Sequence, residues 1–573
     1  HILFISVICI LWGVPFFIAS IKLNNEISFW CRTPLNMISF LFFSGLLTLS
    51  LITGWLCLFL PMEINLLLAT TLFPLTIVLW KRGELKIFFS KKLQPIRLSF
   101  AEKLFYIISI LLFILLGSLK PLNGDTQIYH VQLIKWYNEY GVVPGLANLF
   151  PRFGLGSNWF NLIGIFRLPS ITQSENYTWL NTTLVVWFFT WLIGNWKYHF
   201  ENVTSFNKTL SHFYFLTIIF CFIEWELFRD AASSTNYDFI VTALTIISVC
   251  YLLEKVLATN TEKTFSWLFI LLCCSIIPFK LSGVFIIFLI IFYLLYFNKT
   301  QNWIFTFITG SLFIIPLLIK NFIITGYPLF PISFAISSPD WQLPKTMTDY
   351  LREYIHVTNR FYNRYDLNYT TIPEYLKEPW FGAWIKGLVI NQKVVIATAL
   401  TSVSIFIFKK KTLKNHIHLR ILYALLITMA IGWFLSAPSP RFGYGVLLPL
   451  AFFPACFFIG HRVSLRNHLP FIILTTGILF YYIWQKSIGI PIPERLIYAS
   501  TLEGPNLKKI ELNGVQYNFP DIMLNGWMHD CFDSELPCIS GINPYLFPRS
   551  SMLKDGFKMI GRPDSVFVRN YVY

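Results

Sequence analysis

Runs of roughly 18 or more apolar residues recur from one end of the chain to the other, each long enough to cross a hydrocarbon core about 30 Å thick. Such a run is stable in lipid only if its backbone polar groups bond one another, which a helix achieves within one segment. Composition agrees: 55% of the residues are hydrophobic and 13% charged, where a soluble domain carries roughly a quarter charged. Mean hydropathy is +0.59. The expected fold class is an all-α polytopic integral membrane protein with about 14 transmembrane helices, extracytoplasmic interfacial helices and a small extracytoplasmic C-terminal region. The spans are expected at 2–21, 35–60, 64–80, 104–119, 177–194, 212–228, 238–257, 265–278, 281–297, 303–319, 389–408, 419–437, 442–460 and 469–486. Residues 1–486 then form a transmembrane domain with long external loops at about 119–176 and 320–387, and 487–573 form a C-terminal cap.

The formal charge of +16 raises the question of a nucleic-acid partner. Its distribution argues against one. Basic residues gather in short connectors, among them Lys81, Arg82, Lys86, Lys91, Lys92 and Arg97, then Lys409, Lys410, Lys411, Lys414 and Arg420. This is the positive-inside bias of membrane topology. With 81–103 in the cytoplasm, alternation puts 195–211, 254–263, 298–301, 409–420 and 461–468 inside, and every one of them carries basic residues. Outside fall 119–176, 229–237, 320–387, 437–441 and everything after 487. His1 already lies in an apolar run, so residues are expected to precede it or to have been processed away.

Most of the ten cysteines lie within apolar runs, where they act as small hydrophobes. No CxxC or His-rich pattern suggests structural zinc. Cys531 and Cys538 differ, because they bracket a polar, turn-rich segment with Pro537 between them. On an oxidising face they are expected to pair and close a small loop in the cap.

The most polar interruption is residues 119–161, LKPLNGDTQIYHVQLIKWYNEYGVVPGLANLFPRFGLGSNWFN. Asp125 precedes a stretch in which Ile128, Val131, Leu133, Ile134, Trp136, Tyr137 and Tyr140 line one helical face. Gly141 stops that helix, and Pro144-Gly145 turns the chain. The helix is expected to lie in the membrane interface with Trp136 and the tyrosines at headgroup level. Residues 159–166 suggest a second interfacial helix. Asp125 is a preferred helix N-cap, and a carboxylate held rigidly by that role also suits a general base.

Other external elements carry functional groups. Residues 229–238, RDAASSTNYD, end in Asp238 at a membrane boundary, where a carboxylate needs a partner or a water-filled cavity. Lys280, Lys320 and Arg441 are cations at outer span ends. Snorkelling to headgroups explains many such residues, but a phosphate-bearing ligand would also use them. Arg441 is the strongest candidate, because a guanidinium grips phosphate oxygens bidentately and prolines flank the preceding Ser439. The 320–387 loop is rich in aromatics up to Trp380 and Trp384, which suits either sugar stacking or an interfacial belt.

Together these features resemble the GT-C superfamily of polytopic glycosyltransferases, which use polyprenyl-phosphate-linked donors at an outer-face active site. The resemblance is carried by Asp125 in the first large external loop, the helices after it, the acidic segment 230–238 and the later cations. The stretches GDTQIYHVQLIKWYNEYGVVPGLANLFPRFG, KNFIITGYPLFP and CFDSELPC are also similar to a little-characterised bacterial family of multi-pass membrane proteins, grouped with GT-C-like proteins by analogy. The resemblance implies a GT-C-like domain over 1–486 that moves a sugar from a polyprenyl-phosphate donor to a glycan, lipid or protein acceptor. It implies catalytic Asp125 and Asp238, with substrate contacts from Arg441, Lys280, Lys320, Asp230, His130, Tyr129 and Arg152. It also implies a bacterial cytoplasmic (inner) membrane location, contact with membrane lipids and a periplasmic site. His130 would orient Asp125 or meet phosphate, with a packed surface histidine as the plainer expectation. The acidic pair of many GT-C loops is here Asp125-Thr126-Gln127, and three spans precede the loop's helix. A divalent metal such as Mg or Mn therefore stays open. The alternatives are an O-antigen ligase or polymerase, and a lipid-linked oligosaccharide flippase or other transporter. Transporters place polar groups near the midplane, whereas here they gather on one side.

Overall fold

The computed structural model describes the chain apart from residues 23–26, 90–94, 120, 122, 168–176, 203, 258–265, 298–299, 364–366, 368–370, 409–415, 460–473, 479, 482–505, 522–530 and 573. Among the described residues, nine helices are long and apolar enough to cross a membrane. Shorter apolar helices occupy Ile64–Trp80, Trp267–Phe279 and Leu281–Tyr296. The chain is a predominantly helical, multi-pass membrane protein.

The expected fourteen spans are not reached among these residues. Trp179–Glu201 forms a 23-residue helix but carries Asn181, Asn195 and three threonines among its apolar residues. Trp267–Phe279 has 13 residues, which reach only about 20 Å at helical rise. Past Lys280 the chain doubles back, and Tyr293 Oη accepts the Ser266 N–H. Most of 469–486 lies outside the described residues.

Close backbone approach sets the first helix pair. Ile2–Lys22 crosses Pro34–Leu56 at Gly13 and Gly45. A Cβ on Gly45 would lie 1.7 Å from the Cys9 carbonyl oxygen, and one on Gly13 2.0 Å from that of Leu41. Small residues permit such contact where lipid supplies no hydrophobic drive between helices.

The polar stretch after Phe100–Ser118 folds differently from the expectation. A π-helical turn, Thr126–His130, leads into the α-helix Val131–Glu139. Residues 131–137 are all buried, as is the whole helix Asn158–Ile165. Protein covers both, where exposure of their aromatic faces to headgroups was expected. Trp136 meets Phe557 edge-on at 5.8 Å, and Gln132 Nε2 donates to the carbonyls of Phe532 and Ser534, both at 2.9 Å. Lys135 Nζ donates to Ser534 O at 3.0 Å. The turn glycines behave as expected, with Gly141 at φ 72° and Gly145 at φ 62°.

The C-terminal region covers Val131–Glu139, whereas Asn158–Ile165 packs on the helices Pro34–Leu56, Ile64–Trp80, Val131–Glu139 and Trp267–Phe279. Cys531 and Cys538 are bonded, and the other eight cysteines are free and buried. The region is not helical throughout: Leu507–Leu512 pairs with Val515–Pro520, and Leu546–Pro548 with Phe557–Met559, both antiparallel. Helix Ser565–Val572 follows. The Phe557 N–H donates to Pro144 O at 3.0 Å, and the Tyr571 hydroxyl donates to Leu149 O at 2.6 Å.

Gly45→Ala is expected to cost about 1–3 kcal/mol through overpacking against backbone, read as a lower melting temperature of the detergent-solubilised protein. Gly83→Ala, whose Cβ would meet nothing within 4 Å, is the matched control and is expected to leave it unchanged.

Candidate functional site

Four segments far apart in sequence converge at one end of the bundle. Asp125 opens the π turn, Asp238 opens the helix Asp238–Leu257, Lys280 stands at the hairpin after Trp267–Phe279, and Arg441 is the second residue of Pro440–Ile459. Lys280 Nζ pairs with Asp238 Oδ1. Arg441 Nε lies 3.3 Å from Asp238 Oδ2, and its Nη2 lies 3.6 Å from Asp125 Oδ2. Arg441 thus bridges two carboxylates while Lys280 holds the second from the other side. Phe442 lies 3.1 Å beneath Lys280 Nζ, a cation–π contact that stabilises the ammonium as its water is removed.

Local chemistry fixes each group. Two indoles clamp the carbonyls before Arg441: Trp384 Nε1 donates to Pro438 O at 2.7 Å and Trp433 Nε1 to Ser439 O at 2.9 Å. Trp384 is therefore a structural clamp and does not line the cavity. Asn236 Oδ1 accepts the Asp238 N–H at 2.8 Å. Behind it, Asp230 Oδ2 accepts from Asn236 and Asn123 at 3.2 and 3.3 Å. Asp230 therefore positions the site's capping residue and does not line the cavity.

Asp125 does not cap its helix. Its side chain makes no capping bond, and Asn123 Oδ1 accepts the Thr126 N–H at 3.3 Å instead. The carboxylate is turned to Arg441, with a third of its surface open. Burial alone would raise its carboxyl, but the nearby cations, Arg441 foremost, outweigh this and hold it below the ordinary carboxylate range.

These four residues line a cavity of about 380 Å³. Tyr129, His130 and Arg152 line it as well, and so do the apolar side chains of Ile277, Leu281, Leu317, Phe330, Leu351 and Ile355. Helix Lys345–Arg360 lies across it, and Tyr354 stacks 5.0 Å from the Arg152 guanidinium. Lys320 is not brought in. It is buried, donates to Asn158 Oδ1 at 2.8 Å and faces Tyr137. The 300–325 helix continues past the expected span end at 319, so Lys320 stays inside the bundle and misses the cavity.

His130 is no surface histidine. It is 2% exposed, and burial lowers its pKa to about 4, so the ring is neutral at pH 7.

Glu226 was not anticipated. It lies in the π turn Trp225–Arg229, accepts the Tyr362 hydroxyl at 2.5 Å and Gln392 Nε2 at 3.3 Å. Burial pushes its carboxyl up to about 7 against the pull of Arg441. An acid at the outer edge of an apolar run is the signal that would have flagged it.

Asp125 and Asp238 are already opposed by two cations, and among the described residues no three His, Cys, Asp or Glu side chains are grouped to hold a metal.

Residues 1–448 match the family model described as a domain of unknown function, DUF8201, and the chain belongs to that family. No curated protein and no solved structure matches it.

Because His130 is neutral in the folded protein but protonated in the unfolded chain below about pH 6.5, acidification favours unfolding. Between pH 7 and pH 5 the wild type is expected to lose about 2 kcal/mol that His130→Gln does not lose. Thermal denaturation of both proteins at the two pH values checks this.

Proposed function

For this member of DUF8201 we propose a membrane glycosyltransferase that moves a sugar from a polyprenyl-phosphate-linked donor to an acceptor hydroxyl, with the site on the extracytoplasmic face of the bacterial inner membrane. The observation that carries the reading is the meeting of Asp125, Asp238, Lys280 and Arg441 at a cavity that apolar side chains also line. An amphiphile with an anionic head and an apolar tail suits a lining of both kinds. The lining cations Arg152, Lys280 and Arg441 exceed the lining carboxylates Asp125 and Asp238 by one, and a phosphodiester-linked sugar carries one negative charge.

In this reading the donor's phosphate lies against Arg441 and Lys280, and Arg441 is drawn from Asp125. The freed carboxylate takes the proton of the acceptor hydroxyl as general base. The acceptor oxygen bonds to the anomeric carbon, the bond from that carbon to the phosphate oxygen breaks, and its electron pair stays on the phosphate. Arg441 and Lys280 stabilise that charge in a poorly solvated site, where fixed cations act most strongly. Asp238 keeps both cations in place and orients a donor hydroxyl. Basic connectors on the opposite side of the spans support the outer location.

Asp125→Asn is expected to lower glycosyl transfer by about 100-fold or more in membranes with matched protein levels; full product formation would remove its role as base. Arg441→Ala is expected to weaken binding of polyprenyl phosphate by about 10-fold or more, measured by thermal shift or scintillation proximity. A periplasm-active reporter fused at Asn148 is expected to be on, and a cytoplasmic signal there would end the scheme.

A further inference from the structure

His130 has a chemistry that the transfer scheme leaves unused. Its Nδ1 lies 2.9 Å from Thr235 Oγ1. Thr235 Oγ1 in turn donates its proton to Thr126 Oγ1 at 3.1 Å, and Thr126 Oγ1 also receives the Thr235 N–H at 3.2 Å. A hydroxyl has one proton to give. With that proton committed to Thr126, Thr235 accepts from His130, so the ring proton resides on Nδ1. In a neutral imidazole the other nitrogen, Nε2, is then a lone-pair acceptor.

That acceptor lacks a partner. Nε2 is buried with no hydrogen bond among the described residues, and His130 lines the cavity. Phe160 packs on the ring at 4.6 Å and Tyr129 edge-on at 4.4 Å, so the imidazole has little room to turn elsewhere. A buried acceptor left unsatisfied is destabilising, and a ligand donor relieves that cost.

The π turn explains why His130 shares the cavity with Asp125. In an α-helix, residues five apart point about 140° away from one another. The turn closed by the Val131 N–H on Thr126 O is widened by one residue, which brings Asp125 and His130 round to one side.

We propose that His130 Nε2 is a hydrogen-bond acceptor for a ligand hydroxyl, fixed in that tautomer by Thr235, so that the cavity selects a polyhydroxylated ligand gripped at both Asp125 and His130. The assignment of this hydroxyl to the sugar or acceptor rests on the transferase reading; the acceptor nitrogen itself does not. His130 is a specificity residue here, distinct from the base.

The direct test is nitrogen-15 spectroscopy of histidine-labelled protein in nanodiscs, with His130→Gln identifying the signal. At pH 7 the expected spectrum has Nδ1 protonated and Nε2 bare. A protonated Nε2 would overturn the proposal, whatever the outcome for Asp125→Asn. Variants supply a second readout. His130→Asn keeps a partner for Thr235 but removes the Nε2 acceptor, whereas His130→Gln puts an amide near the Nε2 position. Transfer from polyprenyl-phosphate sugar is expected to fall at least 10-fold through KM in His130→Asn and to recover in His130→Gln. Thr235→Val, which frees the tautomer, is expected to resemble His130→Asn. Equal activity in all three would also overturn the proposal. Unchanged transfer in Asp125→Asn, with the bare Nε2 present, would instead remove the transferase base and leave the acceptor standing.

Discussion

A guanidinium at the start of a helix, beside apolar spans, is an unstable placement. The helix dipole opposes it, and withdrawal from water costs several kcal/mol unless carboxylates answer it. Arg441 stands in that position, and much of the surrounding architecture meets the need. Asp238 and Asp125 bind it directly, Lys280 completes the charge pattern, and two tryptophans lock the backbone before it. Arg441 ties the first loop, the 229–238 segment and the last long helix together, and Asp238 adds the 280 hairpin through Lys280.

The membrane class was legible because a bilayer imposes a length and a polarity that composition cannot hide. The convergence of Asp125, Asp238, Lys280 and Arg441 was legible in part, since an alternating topology puts all four on one side. Distance was not legible. Lys320 met the same rule for outer cations, yet the helix runs on to Thr325 and keeps it inside the bundle. Amphipathic periodicity identified the helix after Asp125 but misread its environment. Trp136 and Tyr137 meet protein where lipid headgroups were expected, because Phe557 from the far end of the chain packs on Trp136 and Lys320 faces Tyr137. Nor does periodicity show a π turn, which changes one hydrogen bond without changing residue type.

Asp125 illustrates how two readings of one residue separate. As an aspartate before a helix it fits the cap role, but Asn123 takes that role and leaves the carboxylate for the cavity. Glu226 illustrates the reverse: hidden in an apolar run, it emerges within the field of Arg441, bonded to Tyr362. The charge network is therefore larger than the external loops alone suggested.

The grip of the C-terminal region on the first loop has a consequence for biosynthesis. Gln132 is bonded to a carbonyl 400 positions later, and Tyr571 reaches back 422 positions to Leu149. The wall that carries Asp125 and His130 therefore waits, partly bare, while the remaining spans are inserted and the tail is synthesised. A chain still on the ribosome has its cations and carboxylates available but lacks the cover that aligns the first loop. Assembly of the cavity is in this sense a terminal event of synthesis, and a stalled or clipped chain would be inserted in the membrane with an unfinished site.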